Sequence, residues 1–388
     1  RGTPDIKIIT GLRRSGKSEL VRDYVDWLEK NDNNVHVLYI DFMDLKNEDL
    51  KDYKSLYKYV ENQYQKDAEN IVVIDEVQLC NQFELAINSL YNSRKYDIYI
   101  TGSNANLLSS ELATYIAGRY VEIKVFPLSF KEFIDFSKIQ NPEKIYSNEE
   151  YFEKYLQFGG LPAIHNFNQD KTSIYQYLTD IYNSVLLKDV VARNNIRDIE
   201  LLERIILYIF DNIGNIFSAK KISDFLKSQG RKLSVETVYN YLKALENAYI
   251  ISKVQRYDIK GKSILETQEK FYLLDLGLKH SQLGYKANDI ASHLENIIYL
   301  ELLRRKYNVN IGKLKTKEID FIAQKEDKKL YIQATYLLAS ENTIEREFSP
   351  LKNIEDNYPK YVLSMDNLSE YNINGILRKR IIDFLLDL

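Results

Sequence analysis

Gly11-Leu12-Arg13-Arg14-Ser15-Gly16-Lys17-Ser18 has the glycine spacing and the Lys-Ser ending of a phosphate-binding loop. Its flanks agree with that reading. Ile6–Thr10 is a short β-branched run that reads as a buried strand, and Glu19–Lys30 reads as a helix with Leu20, Tyr24, Trp27 and Leu28 on one stripe. Each part has a separate task. Glycines let the backbone turn its N–H groups toward phosphate oxygens, and the start of a helix adds the favourable end of its dipole. Lys17 is expected to reach the outer phosphates and the Ser18 hydroxyl to complete the coordination of Mg²⁺. Arg13 and Arg14 are poised to meet phosphate or a neighbouring subunit. The expected ligand is a nucleoside triphosphate.

Outward from the loop, residues 1 to about 130 alternate strands and helices, the pattern of a parallel sheet wrapped by helices. The strands are expected at Ile6–Thr10, Val35–Asp41, Ile71–Asp75, Ile98–Thr101 and Val121–Val125, with helices near 17–30, 48–65, 81–93 and 106–117. In such sheets the strand C-termini share one edge, where ligands bind. On that edge Ile71-Val72-Val73-Ile74 runs into Asp75-Glu76. Asp75 is expected to hold Mg²⁺ through water, and Glu76 to polarise the attacking water. The next strand ends Thr101-Gly102-Ser103-Asn104; Asn104, with Ser103 close behind, is the candidate for sensing the outermost phosphate or orienting the water. Arg119, just before the last strand, is a candidate for stabilising charge on the transferring phosphoryl group, within its own subunit or across an interface.

Composition narrows the classes. A chain of 388 residues implies two to three domains. The net charge of −3 argues neither for nor against a nucleic-acid partner. The single cysteine, Cys80, excludes an internal disulfide and points to a reducing, cytoplasmic compartment. No apolar run is long enough for a membrane span, and no signal peptide is evident. The chain opens on Arg1 rather than methionine, as expected of a trimmed or processed protein. His36, His165, His280 and His293 have no metal-ligand spacing with one another.

Together, the loop, Ile71-Val72-Val73-Ile74-Asp75-Glu76-Val77-Gln78, Thr101-Gly102-Ser103-Asn104, and the run from Ala117-Gly118-Arg119-Tyr120 to Pro127-Leu128-Ser129-Phe130 resemble a family of prokaryotic AAA+-type ATPases. These are related to the signal-transduction ATPases with numerous domains (STAND). Phe158-Gly159-Gly160-Leu161-Pro162 is similar to that family's signature in its helical lid. The resemblance implies ATP as the nucleotide, and an ATPase followed by a winged-helix segment and a nuclease-like C-terminal domain. The expected fold is α/β: a P-loop NTPase parallel sheet with a helical lid, then a winged helix, then a small α/β nuclease-like domain. The boundaries are 1–130 for the ATPase core, 131–205 for the lid, 206–285 for the winged helix and 286–388 for the last domain.

The residues of the later segments carry their own signals. Phe130–Ile139, Asn148–Leu156 and Thr172–Val191 read as helices. From Ile199, three helical stretches precede two strand-like ones, Ile250–Tyr257 and Lys270–Leu274, around the Lys260-Gly261-Lys262 turn. Helix–turn–helix plus a two-stranded wing is a winged helix. Residues 215–262 hold ten Lys/Arg against four Asp/Glu. Arg231, Lys232, Lys243, Arg256, Lys260 and Lys262 are therefore candidates for DNA phosphates, and Thr237 and Asn240 for base edges. The competing use of such a module is protein packing.

After a helix at 288–305, strands near Tyr307–Leu314, Glu318–Ala323 and Lys329–Tyr336, a helix near 341–356, a strand at Tyr361–Ser364 and a terminal helix from Gly375 resemble the PD-(D/E)XK nuclease order. Glu295 and Asp320 match its acids and Gln333 stands at the second acid, but Thr335 stands where the lysine belongs. Lys313, Lys315 or Lys317 is expected to reach in instead if the site acts; otherwise the domain is a binding or assembly module. The whole chain reads as an ATP-binding and hydrolysing switch with ATP and Mg²⁺, associated with duplex DNA through the winged helix. A homo-oligomer or protein partner is also open, and no membrane is expected. The alternatives are a non-hydrolysing adaptor that assembles proteins and an ATP-gated nuclease effector.

Overall fold

The computed structural model describes residues 3–105, 118–168, 170–231, 233–367 and 371–387. The helix expected at 106–117 and the candidate Lys232 lie outside the described residues. The chain divides into two units, Arg1–Phe126 with Asn247–Tyr249, and Pro127–Glu246 with Ile250–Leu388.

The first unit is built on β1 (Ile6–Thr10), β2 (Val35–Asp41), β3 (Glu69–Asp75), β4 (Tyr96–Gly102) and β5 (Tyr120–Lys124), in the order β2-β3-β4-β1-β5. Every pairing is parallel, which explains why β1 is buried on both faces: helices cover each side. α1 (Lys17–Asn31), α2 (Tyr53–Asn62) and α3 (Phe83–Ser93) provide that cover. The α1 stripe differs from the expected one. Val21, Val25 and Leu28 are buried at helical spacing, whereas Leu20 and Trp27 are more than half exposed. The β-branched valines pack on the sheet because the turn from the loop fixes the rotation of the helix at Gly16, whose φ is +96°. β4 separates β1 from β3. The loop after β1 and the acidic end of β3 therefore flank the end of β4, all on the same edge.

The second unit begins with α4 (Phe130–Gln140) and α5 (Asn148–Phe158), each opened by a capping box, Ser129 with Glu132 and Ser147 with Glu150. α6 (Lys171–Ser184) runs on through a wide π-helical stretch, Val185–Val191. Next come α7 (Ile199–Asp211), β6 (Ile216–Phe217), α8 (Ala219–Ser228), α9 (Val235–Asn247), β7 (Ile251–Asp258) and β8 (Ser263–Leu273). The remainder is α10 (Leu276–Leu283), α11 (Ile290–Arg304), β9 (Asn308–Leu314), β10 (Lys317–Lys325), β11 (Lys328–Ala334), α12 (Glu341–Lys352), β12 (Lys360–Ser364), β13 (Tyr371–Ile373), β14 (Ile376–Arg380) and α13 (Ile381–Leu386). One mixed sheet joins them, in the order β13-β14-β12-β11-β10-β9-β7-β8-β6. The hairpin β7–β8 is thus continuous with the C-terminal strands through a parallel pairing of β7 with β9.

The terminal helix expected from Gly375 is corrected. Asn374 and Gly375 both have positive φ, +54° and +83°, and turn the chain between β13 and β14; the helix begins only at Ile381. The glycine pair of α5's C-terminus has a packing reason. Gly160 N–H donates to the buried Asp275 carboxylate at 2.7 Å, and a Cβ on Gly159 would lie 2.2 Å from Asp275 Oδ1. Gly277 N–H also donates to Asp275, at 2.8 Å. Burial pushes the Asp275 carboxyl up to about 6 despite these donors.

Candidate functional site

The phosphate loop has the geometry its sequence implies. Gly11 (φ +145°) passes so close to β5 that a Cβ would sit 2.1 Å from Val125 O, so no side chain fits there. Arg14 takes a left-handed conformation, φ +67°, at the exposed crest, and Arg13 is half-buried. Leu12 and Ser15 are buried, and Ser15 Oγ lies 3.4 Å from Val125 O. Among the described residues no side chain caps the N-terminus of α1, and a helix start of that kind suits an anion. Lys17 is buried, with its ammonium donating to Gly11 O and Leu12 O, both at 2.9 Å. Phosphate oxygens, being charged, would compete well for that ammonium. Ser18 follows, half-buried, on the first turn.

The end of β3 is held by a residue that its local sequence does not mark. Thr101, fully buried on β4, donates its hydroxyl to Asp75 Oδ1 and accepts from Glu76 N–H at 3.0 Å. One hydroxyl thereby fixes both acids. Tyr39 donates to the other Asp75 oxygen at 3.2 Å, and burial together with Asp75 pushes its phenol up to about 12. Glu76 adopts φ +53°, a costly conformation for a side-chain-bearing residue. Its carboxylate accepts from Gln78 and, at 3.5 Å, from Ser103. Asn104 is buried one residue beyond Ser103. The cradle of glycines, the uncapped helix start, the Ser18 hydroxyl and the buried Asp75 carboxylate suit a triphosphate with Mg²⁺.

Arg119 is elsewhere. Its carbonyl accepts from Ile6 N–H, so it marks the N-terminal edge of the sheet, about 17 Å from the loop by the rise of a five-residue strand. Its guanidinium donates to Asn88 and Asn92 of α3 at 3.2 and 3.3 Å and lies over Tyr91. A role on the phosphates of its own subunit is therefore corrected: it belongs to the opposite edge.

In the second unit Asp320 N–H donates to Gln333 Oε1 at 3.3 Å, which brings those two predicted residues together. The lysine that joins them is not the one expected. Lys270 of β8, only 3% exposed, reaches Glu295 at 2.7 Å and Glu318 at 2.8 Å. Tyr272 donates to the same Glu295 oxygen. Burial opposes the charge on Lys270, but Glu295, Asp320 and Glu318 overcome it and raise its pKa. Asp320 is raised well above the carboxylate range by burial and by Glu295. Lys315 is instead exposed at the β9–β10 turn, and Lys317 donates to Ser349. This donor set does not fit a divalent cation: an ammonium already bridges two of the carboxylates, and Asp320 Oδ2 accepts from Ala334 N–H at 2.8 Å.

Of the candidates for DNA, Asn240, Lys243, Lys260 and Lys262 are exposed and Thr237 is half-buried. Arg231 pairs with Glu200 at 3.0 Å. Arg256 is 9% exposed and leaves the set of surface cations.

Residues 3–134 match the family model of an AAA domain, and residues 149–289 match a domain of unknown function. With the loop and the acidic pair of β3, that match makes the first unit an AAA-type P-loop ATPase domain. An uncharacterized protein of Haemophilus influenzae is 38% identical over 100% of this chain and 95% of its own length. An uncharacterized protein of Methanocaldococcus jannaschii is 33% identical, over 95% of this chain and 83% of that one. The chain belongs to the family these two relatives represent. Among solved structures, a Walker-type ATPase of Pyrococcus abyssi covers 72% of this chain and 91% of that one, with 16% identity and a TM-score of 0.50, a likeness of fold. Among the described residues no helix is long and apolar enough to cross a membrane.

Proposed function

We propose that the chain is an ATP-hydrolysing switch of the AAA+ type that associates with duplex DNA. The observation that carries the hydrolytic half is the Thr101 hydroxyl bound at once to Asp75 and to the backbone of Glu76. A protein that only held nucleotide would have no use for a second carboxylate at the strand end, kept in a strained backbone conformation. Lys17 and the N–H groups of the loop bind and orient the phosphates. Asp75 and Ser18 would hold Mg²⁺, which neutralises phosphate charge when bound. Glu76, steadied by Gln78 and Ser103, takes a proton from the attacking water, and Asn104 lies on the same edge to register the outermost phosphate.

For the second half we read residues 199–273 as a winged helix. The order helix, short strand, helix, helix, hairpin supports it, as does the pairing of β6 with β8. Exposed Asn240 and Lys243 on α9 and the lysines of the hairpin tip supply the surface for DNA. The helices α4–α6 are read as the helical lid of the AAA+ type, and the last strands as a nuclease-derived platform rather than a nuclease, because Lys270 closes the acidic cluster. Steady-state ATP hydrolysis by wild type and Lys17→Ala, with and without duplex DNA, tests both halves. The expected result is turnover that DNA stimulates and that Lys17→Ala abolishes. DNA-insensitive turnover removes the DNA coupling. Tight ATP binding with no turnover removes the hydrolytic half and leaves a nucleotide-binding adaptor.

A further inference from the structure

The parallel pairing of β7 with β9 sets two turns side by side: the β7–β8 tip and the β9–β10 turn. Asp258 is in register with Lys313 of β9, and Ile259 N–H donates to Lys313 O at 3.0 Å. Both turns are locally fixed. Asp258 Oδ1 accepts from Lys260 N–H at 3.0 Å and Gly261 N–H at 2.9 Å. Lys262 and Lys315 adopt left-handed backbones, φ +53° and +58°. Between the turns lies a cleft of about 640 Å³ whose charged lining is Lys260, Lys262, Lys315, Lys317, Glu355 and Asp356.

Four ammonium groups thus face two carboxylates, and one of those is already engaged. Asp356 accepts from the Tyr331 hydroxyl and lies 4.0 Å from both Lys329 and Lys360. None of the four lysines is ion-paired among the described residues; Lys317 donates to the neutral Ser349 hydroxyl. The lining is therefore predominantly positive: Glu355 opposes the four lysines, Asp356 is shared with Lys329 and Lys360, and Asp258 at the hairpin tip accepts from backbone N–H groups. Like charges held together this way repel one another and gain when an anion enters.

We propose that this cleft is a sequence-independent contact for duplex nucleic acid, with Lys260, Lys262, Lys315 and Lys317 engaging backbone phosphates. The proposal rests on the reading of the chain as DNA-associated and adds a second hairpin, β9–β10, to the surface. The lining chooses among polyanions. It contains no arginine and no aromatic ring, so it lacks the anchors typical of protein interfaces and the stacking platforms of single-strand binders. Lysines are point charges that hold phosphates without reading bases. Adjacent strands about 4.8 Å apart put the two turns within reach of neighbouring phosphates on one groove edge.

The test is fluorescence anisotropy of the full chain with a labelled random-sequence duplex as salt is raised. Each phosphate neutralised adds about 0.9 to the slope of log affinity against log salt. Four lysines then contribute about 3.6, or roughly a 150-fold loss between about 50 and 200 mM. The variant Lys260→Ala/Lys262→Ala/Lys315→Ala/Lys317→Ala changes side chains outside the ATPase site. It is expected to keep the wild-type thermal transition while the slope falls by about 3 to 4. An unchanged slope in this variant, with binding lost instead in Asn240→Ala/Lys243→Ala, overturns the cleft and leaves the DNA reading standing. No binding of duplex by wild type at low salt overturns both. Polyglutamate displacing the duplex at equal charge overturns the choice of nucleic acid.

Discussion

Replacing Lys270 by methionine removes one charge from the centre of the second unit while keeping the length of the stem. The ammonium is buried between Glu295 at 2.7 Å and Glu318 at 2.8 Å. Removing one partner of a buried ion pair costs about 3–5 kcal/mol, chiefly because the other charge stays desolvated. Two features place this case at the low end. Glu318 is partly exposed and can turn to water, and burial together with Glu295 raises the Asp320 carboxyl well above the usual carboxylate range. Glu295, still held by Tyr272, is the acid left without its cation. The expected loss is about 3 kcal/mol near neutral pH, or a fall in melting temperature of roughly 6–12 °C for a unit of this size. Differential scanning calorimetry, following the transition of the second unit, gives the number. Adding Glu295→Gln to Lys270→Met should recover part of the loss. The same substitution should also open the carboxylates to divalent cations, so that Mn²⁺ stabilises Lys270→Met in the absence of nucleotide but leaves wild type unchanged. A loss below about 1 kcal/mol, or Mn²⁺ stabilisation of wild type that Asp320→Asn removes, would refute the closed cluster.

Three other substitutions probe the nucleotide edge and the glycine pair. Thr101→Val keeps the shape of the side chain but strands Asp75 and the Glu76 amide without their shared partner. It should cost about 1–3 kcal/mol in stability and lower kcat more than it changes ATP affinity, as read by steady-state kinetics and nucleotide titration. Arg119→Ala, at the far edge of the sheet, should leave the turnover of isolated subunits within about twofold; a large loss that scales with protein concentration would assign it to an interface. The Asp275 carboxyl, raised to about 6 when folded, binds its proton more tightly in the folded than in the unfolded chain. Its favourable contribution is complete below about pH 4 and lost as pH rises through 6, a change of about 3 kcal/mol. The stability difference between wild type and Asp275→Asn should narrow or reverse by that amount across the window, measured by denaturant unfolding, and a flat difference contradicts the assignment.

The nucleotide edge was legible in the sequence because its signals are local. A run of apolar residues, a glycine loop and a Lys-Ser pair lie close together in the chain, and Asp75-Glu76 ends a run that reads as a buried strand. Thr101 and Gln78 were not legible as site residues. Their roles depend on the pairing of β3 with β4 and on the left-handed turn at Glu76, neither of which leaves a mark in composition. Arg119 misled for the opposite reason: an arginine near a conspicuous motif attracts a catalytic role, yet the start of a parallel strand lies a full strand length from its C-terminal edge. Lys270 was hidden by distance in sequence, since it meets Glu295 and Glu318 only because β8 is built into the same sheet as β10. The β13–β14 hairpin did carry a local signal, the Asn374-Gly375 pair, which is a preferred two-residue turn between strands.

The central claim is that Glu76 is the group that turns bound ATP into a substrate. Steady-state hydrolysis and ATP binding by wild type and Glu76→Gln test it directly. The account predicts that Glu76→Gln binds ATP within a few-fold of wild type and hydrolyses it about 100- to 10,000-fold more slowly, the usual contribution of a positioned general base. Turnover by Glu76→Gln at the wild-type rate would contradict it.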